Sequence, residues 1–154
     1  FIKEGTVDFG FLNPDATKDL ETIQLTKDEM LAVLPTNHPL VNEETVSLDQ
    51  LATEPYILLE EGHLNEPLEF FKQHQLQPNI QFRVHDDYTI MAMVENGLGI
   101  SVLPELVLKR VNYKLVKKKI TPPVTRTISI AYKDKRILPI ASRHFIDFLI
   151  ERFK

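Results

Sequence analysis

Val94-Glu95-Asn96-Gly97-Leu98-Gly99-Ile100-Ser101-Val102-Leu103-Pro104 is the stretch whose reading decides the fold. Met91, Val94 and Leu98 recur at helical spacing, Asn96-Gly97 closes that helix, and Ile100 to Leu103 (ISVL) is a short unbroken apolar run. Such a run suits a strand covered on both faces, as in a parallel sheet, and a helix feeding it belongs to an α/β lobe. Gly97 reads as the helix terminator and Gly99 as the closely packed start of the strand. The Gly-Leu-Gly pair is not a dinucleotide-binding fingerprint, because the third glycine is absent and a helix precedes it.

Upstream, Asp86 or Asp87 caps the helix and Gln81 to Val84 alternates like a strand. Before that, Asn65 is a good N-cap, Pro67 sits in a permissive first turn, and Leu64, Leu68 and Phe71 share one face. Tyr56 to Leu59 (YILL) is another buried strand, and Ser47 to Leu51 a short helix. Pro35 to Pro39 (PTNHP) breaks the chain. Glu21 to Leu25 and Met30 to Leu34 read as two strands separated by the polar Thr26-Lys27-Asp28-Glu29. Val7 to Leu12 (VDFGFL) is an apolar strand stopped by Asn13-Pro14-Asp15, and Phe1 to Gly5 reads as a helix end. Downstream, Pro104-Glu105 opens a short helix ending near Lys109 and Arg110, and Lys114 to Ile120 and Thr127 to Tyr132 read as strands. The last helix, from about Ala141 to Phe153, has Phe145, Phe148 and Leu149 on one side and Ile146, Ile150 and Phe153 on another. A helix apolar on two sides is expected to pack against two things, its own lobe and a second subunit.

Composition narrows the function classes. With 154 residues, 43% of them hydrophobic, the chain has material for one domain or two small lobes. The apolar runs are strand-length, so no membrane span is expected, and no secretory leader is evident. Phe1 is not an initiator Met, which reads as a piece of something longer. Cysteine is absent, which excludes disulfides, thiol catalysis and cysteine-ligated metals. The net charge of −4 is unlike a surface that grips phosphates, and Lys114, Lys117, Lys118 and Lys119 read as a lysine-guarded strand edge. His38, His63, His74, His85 and His144 show no two-histidine helical spacing, and His85-Asp86-Asp87 reads as a strand end plus a cap rather than a metal site. No nucleophile with an acid–base partner is apparent, so neither enzyme activity, a cofactor nor a metal is expected.

The order of motifs resembles the effector-binding region of LysR-type transcriptional regulators over essentially the whole chain. The marks are Glu4-Gly5-Thr6-Val7-Asp8-Phe9-Gly10-Phe11; Met30 to Pro35 followed by Asn37-His38-Pro39-Leu40; Leu48-Asp49-Gln50-Leu51 with Glu54-Pro55-Tyr56-Ile57; Val94 to Pro104; and Arg126 to Tyr132 with Phe145 to Leu149. Each is ordinary α/β grammar; five in the right order are specific. The resemblance implies a two-lobed periplasmic-binding-protein-like α/β fold with mainly parallel sheets and an incomplete first lobe. That lobe would be residues 1–35 plus 126–154, and the second 36–125. It also implies a small-molecule effector in an interlobe cleft, a homodimer or homotetramer, a cytoplasmic location, and DNA contact only through an absent N-terminal helix-turn-helix domain. A transporter's solute-binding protein on the same fold is the alternative.

Candidate effector-binding residues lie at the carboxyl ends of strands, where open α/β sheets place their ligand crevices. Glu60, Glu61, Gly62, His63 and Leu64 join strand YILL to the next helix, where free backbone N–H groups hold an anion; the competing reading is a solvated turn whose glutamates repel one. Asp87, Tyr88 and Thr89 form a second strand-to-helix turn, and there Asp87 is first of all a cap. Leu12, Asn13, Leu103 and Pro104 complete the expected ring.

Overall fold

The computed structural model describes residues 2, 7, 9–12, 20–60, 65–109, 112–132, 136 and 138–153. Two expected features, the helix end at Phe1–Gly5 (apart from Ile2) and the stop at Asn13-Pro14-Asp15, lie outside them. The elements run β1 (Phe9–Leu12), β2 (Glu21–Leu34), a 3-10 turn (Pro39–Asn42), β3 (Thr45–Ser47), α1 (Leu48–Ala52), β4 (Pro55–Leu59), α2 (Glu66–Gln73), β5 (Asn79–Val84), α3 (Asp87–Glu95), β6 (Ser101–Pro104), α4 (Glu105–Leu108), β7 (Val116–Tyr132) and α5 (Ile140–Arg152). The chain forms two compact units, Phe1–Asp28 with Arg126–Lys154, and Glu29–Thr125.

Two expectations need correction. The two strands expected within Glu21–Leu34 are one continuous strand of 14 residues, and the pair expected within Lys114–Tyr132 is one of 17. The polar Thr26-Lys27-Asp28-Glu29 lies within a strand, and Asp28, 4% exposed, meets a cation in place of water: Arg126 Nε donates to its Oδ2 at 3.1 Å, and Nη2 lies 3.1 Å from the same oxygen. Charge that looks like a loop in one dimension is a paired buried group in three.

In the Glu29–Thr125 unit, the last residues of β2 lie antiparallel to β6, with Leu31 opposite Leu103, and β3 runs parallel to β7. β4 is parallel to β5 and, through the Tyr56–Ile100 bridge, to the chain entering β6. Alternate residues enter different cores. Met30, Ala32, Leu34, Tyr56, Leu58 and Val102 pack with Leu48 and Leu51 of α1 and Phe71 of α2. Leu31, Val33, Ile57 and Leu103 pack with Ile90, Met91 and Val94 of α3. The unbroken apolar runs arise from this: a strand buried on both faces has no water-facing side to carry polar residues. Burial pushes the Tyr56 phenol well above its ordinary pKa, partly offset by hydrogen bonds to the Val102 backbone and the Ser101 side chain. Ser101 Oγ in turn donates to the Ile57 carbonyl at 2.7 Å.

The other unit has its own core of Leu25, Ile130, Tyr132, Leu138 and Ile146, with β1 antiparallel to β7. Phe9 stacks on Phe145, ring centroids 5.4 Å apart. Ile146 is fully buried, whereas Phe148 of the same helix is 61% exposed.

Local signals set the helix ends. Ser47 and Gln50 form a reciprocal capping box on α1. His38 explains the His-Pro-Leu mark: Nδ1 accepts from the Leu40 N–H at 3.1 Å while Nε2 faces Glu54 Oε2 at 3.1 Å. α3 ends in a Schellman motif, with Gly97 N–H donating to Val94 O and Leu98 N–H to Met93 O. Gly97 is at φ +77 with nothing within 4 Å of a built Cβ, whereas a Cβ on Gly99 would lie 2.7 Å from the Pro55 carbonyl oxygen. Both glycines thus play the parts read for them. Gly99→Ala, which forces two backbones apart, is expected to cost about 3 kcal/mol. Gly97→Ala, which only strains one residue, should cost about 1 kcal/mol. Urea unfolding of the two variants checks the order; equal costs would show that Gly99 is not a packing glycine.

Candidate functional site

Among the described residues, the parallel strands of the Glu29–Thr125 unit bring the candidates Glu60, Asp87, Tyr88 and Thr89 to one end. Ile57 N–H donates to Ile100 O and Glu60 N–H to Val84 O, both at 2.8 Å, which aligns β5, β4 and the start of β6. Their carboxyl ends therefore lead together into Glu60, into His85 to Thr89, and into Pro104.

Glu60 is held where β4 ends. Its Oε1 accepts from Arg83 Nη1 at 2.8 Å, and its backbone carbonyl lies 3.0 Å from His85 Nδ1. The Glu60–Arg83 pair is largely exposed, so it is worth no more than about 1 kcal/mol; its consequence is local charge balance rather than stability. Glu61, Gly62, His63 and Leu64 lie outside the described residues. The chain returns at Asn65, whose Oδ1 caps α2 by accepting from Leu68 N–H at 3.1 Å and whose Nδ2 donates to Leu59 O at 2.8 Å. The residues on either side of 61–64 are thereby fixed to the end of β4.

At the next turn the cap is Asp86, not Asp87. Asp86 Oδ2 accepts from Thr89 N–H at 3.1 Å and from Thr89 Oγ1 at 2.8 Å. The Thr89 hydroxyl is the main cause that holds the Asp86 carboxyl below its ordinary pKa; desolvation opposes it, and the Thr89 and Tyr88 backbone N–H groups add smaller lowering effects. The preceding residue wins the cap because its extended backbone (φ −138, ψ 127) aims the carboxylate back over the first turn. Asp87 sits in that first turn and, with Tyr88, lines an open cavity of about 430 Å³ completed by Leu106, Val107 and Lys109. Tyr88 is 54% exposed.

The remaining candidates separate. Leu103 is fully enclosed, packed with Leu31, Ile57 and Ile90, so its side chain serves the core. Pro104 is buried at the start of α4. Leu12 ends β1 in the other unit, opposite Ser129, and Asn13 lies outside the described residues. Arg83, Leu106, Val107 and Lys109 carry no site signal in the sequence, and His85 is read there only as a strand end rather than a metal ligand. Arg83 and His85 reach Glu60 across a strand pairing, and Lys109 shares only a cavity lining with Asp87 and Tyr88, so neither link leaves a sequence signal.

A family model described as the LysR substrate binding domain matches residues 1–154. The chain belongs to the LysR substrate-binding domain family. The HTH-type transcriptional regulator YybE of Bacillus subtilis is 31% identical over 157 residues, covering 99% of this chain and 53% of that protein. This LysR substrate-binding domain thus spans about half the length of the relatives it matches. The effector-binding domain of QuiR, solved with shikimate, superposes with a TM-score of 0.86 at 26% identity, over 99% of this chain and 74% of that one. The regulatory domain of Synechocystis PCC6803 CcmR, solved with 2-PG, superposes with a TM-score of 0.88 at 21% identity, over 99% and 76%, and shows the shared fold. The periplasmic-binding-protein-like fold expected from the resemblance is the fold observed, although β1–β7 and β2–β6 are antiparallel pairs.

The Asp86 cap gives a pH signature. Because its pKa is lowered, the cap's contribution is fully present above the ordinary aspartate pKa and is lost as pH falls through the lowered value. Carboxyl-carbon NMR titration should place the Asp86 midpoint below the ordinary aspartate range, and Thr89→Val should raise it. An unchanged midpoint in Thr89→Val would remove the hydroxyl as the cause.

Proposed function

We propose that this LysR substrate-binding domain senses a small-molecule effector and transmits its occupancy to a DNA-binding domain in the part of the regulator outside this chain. The observation that carries the reading is the match of the whole chain to the LysR family, together with relatives that are transcriptional regulators rather than transport proteins. In this reading the two lobes are residues 1–35 with 126–154, and 36–125. The candidate effector contacts are Glu60 and the residues 61–64 that follow, Asp87, Tyr88 and Thr89 at the ends of the parallel strands, and Leu12 and Asn13. Tyr88 is the side chain best suited to contact a ligand, since it is exposed beside a cavity and carries no structural duty among the described contacts. Sensing works through differential affinity: the effector favours whichever arrangement of the regulator it binds more tightly. A cytoplasmic homodimer or homotetramer without enzyme activity completes the proposal.

The test uses the intact regulator and a panel of small carboxylic and phosphorylated acids, read by thermal shift and then by promoter binding. At least one compound is expected to raise the melting temperature and change DNA affinity. Tyr88→Ala is expected to weaken that compound's binding about tenfold, roughly 1.4 kcal/mol, without altering DNA binding in its absence. A compound that binds with full strength to both Tyr88→Ala and Glu60→Ala would move the site elsewhere.

A further inference from the structure

Asp28 is the one charged side chain that is buried among the described residues, and its position is specific. The chain passes from one unit to the other at Asp28/Glu29 and returns at Thr125/Arg126. The last residue of the outgoing passage and the first of the returning one are therefore the two members of a single ion pair, with Arg126 Nε and Nη2 converging on Asp28 Oδ2 at 3.1 Å. β2 and β7, the strands that make these passages, are neighbours in the sheet. Leu25 and Met30, close to Asp28 on β2, are buried and apolar, so the environment suits a hydrophobic residue. A buried ion pair is a poor stabiliser compared with a packed apolar pair, because desolvating both charges offsets most of their attraction. What it supplies instead is discrimination: shifting either strand by one residue leaves a carboxylate buried with its cation displaced, so one register is strongly favoured.

We propose that Asp28 and Arg126 are a positioning clamp that fixes the mutual register of the two connecting strands, and that the effector response depends on this clamp whereas effector binding does not. The second half rests on the sensing function proposed above; the first does not. The experiment replaces the pair by apolar residues of similar size, Asp28→Leu with Arg126→Met, in the full-length protein, and follows backbone hydrogen exchange by mass spectrometry. The double variant is expected to melt within a few degrees of the unaltered protein. Amides of Thr26–Met30 and Val124–Ile128 should exchange at least tenfold faster, while those of Tyr56–Leu58 and Ile90–Val94 keep their protection. Arg126→Lys, which retains charge but not the two-pronged contact, should fall between. Unchanged exchange in the connecting strands of the double variant would overturn the clamp, as would uniform loss of protection throughout both units. For the response, any compound found to act on the unaltered regulator should bind the double variant with its Kd within threefold and change DNA affinity at least threefold less. An intact response in a protein with loosened strands would overturn the link to signalling. If no compound acts on the unaltered regulator, the sensing function fails and the exchange result still decides the clamp.

Discussion

A carboxylate removed from water must find a cation, and in this chain that requirement joins two residues 98 positions apart. Asp28 lies within β2 and Arg126 within β7, and because each neutralises the other, two strands with polar interiors run unbroken. The stretch Thr26 to Glu29 has the composition of a turn, yet it lies within the continuous strand β2. β2 places Met30 to Val33 against β6, and β7 pairs with β3 near one end and β1 near the other.

The Glu29–Thr125 unit owes its order to burial on two faces. Alternate residues of β2, β4 and β6 enter separate cores, one closed by α1 and α2 and the other by α3. Each fully buried leucine, isoleucine or phenylalanine contributes about 2–3 kcal/mol of transfer free energy, far more than the exposed Glu60–Arg83 pair at the strand ends. The division of labour follows from those magnitudes. Apolar side chains fix the strands, and the polar groups at their carboxyl ends are free to be chosen for charge and shape. Glu60 balanced by Arg83, Asp86 spent on its cap, and Tyr88 standing beside an open cavity are the outcome.

Much of this was legible in advance. The capping position Asn65, the glycine at Gly97 and the unbroken runs YILL and ISVL each express a rule that acts over a few residues, so each can be read locally. The resemblance to LysR-type regulators rested on such local marks in order, and the family match over the whole chain agrees with it. Where local rules competed, the reading failed. Asp86 and Asp87 are equal candidates as caps until the backbone angles choose one, and a polar run flanked by strands is indistinguishable from a loop until its partner is known.

The sequence by itself determined the kind of elements, the places where helices start and stop, and the burial of the strands on both faces, because hydrophobic period and capping chemistry are short-range. The tertiary structure alone decided that two pairs of expected strands are two long ones, that Arg83 and His85 meet Glu60, that Lys109 joins Tyr88 around one cavity, and that Leu103 belongs to the core. The physical reason is common to all four. Each depends on a contact between residues distant in the chain, whose interaction energy leaves no periodic trace in either segment.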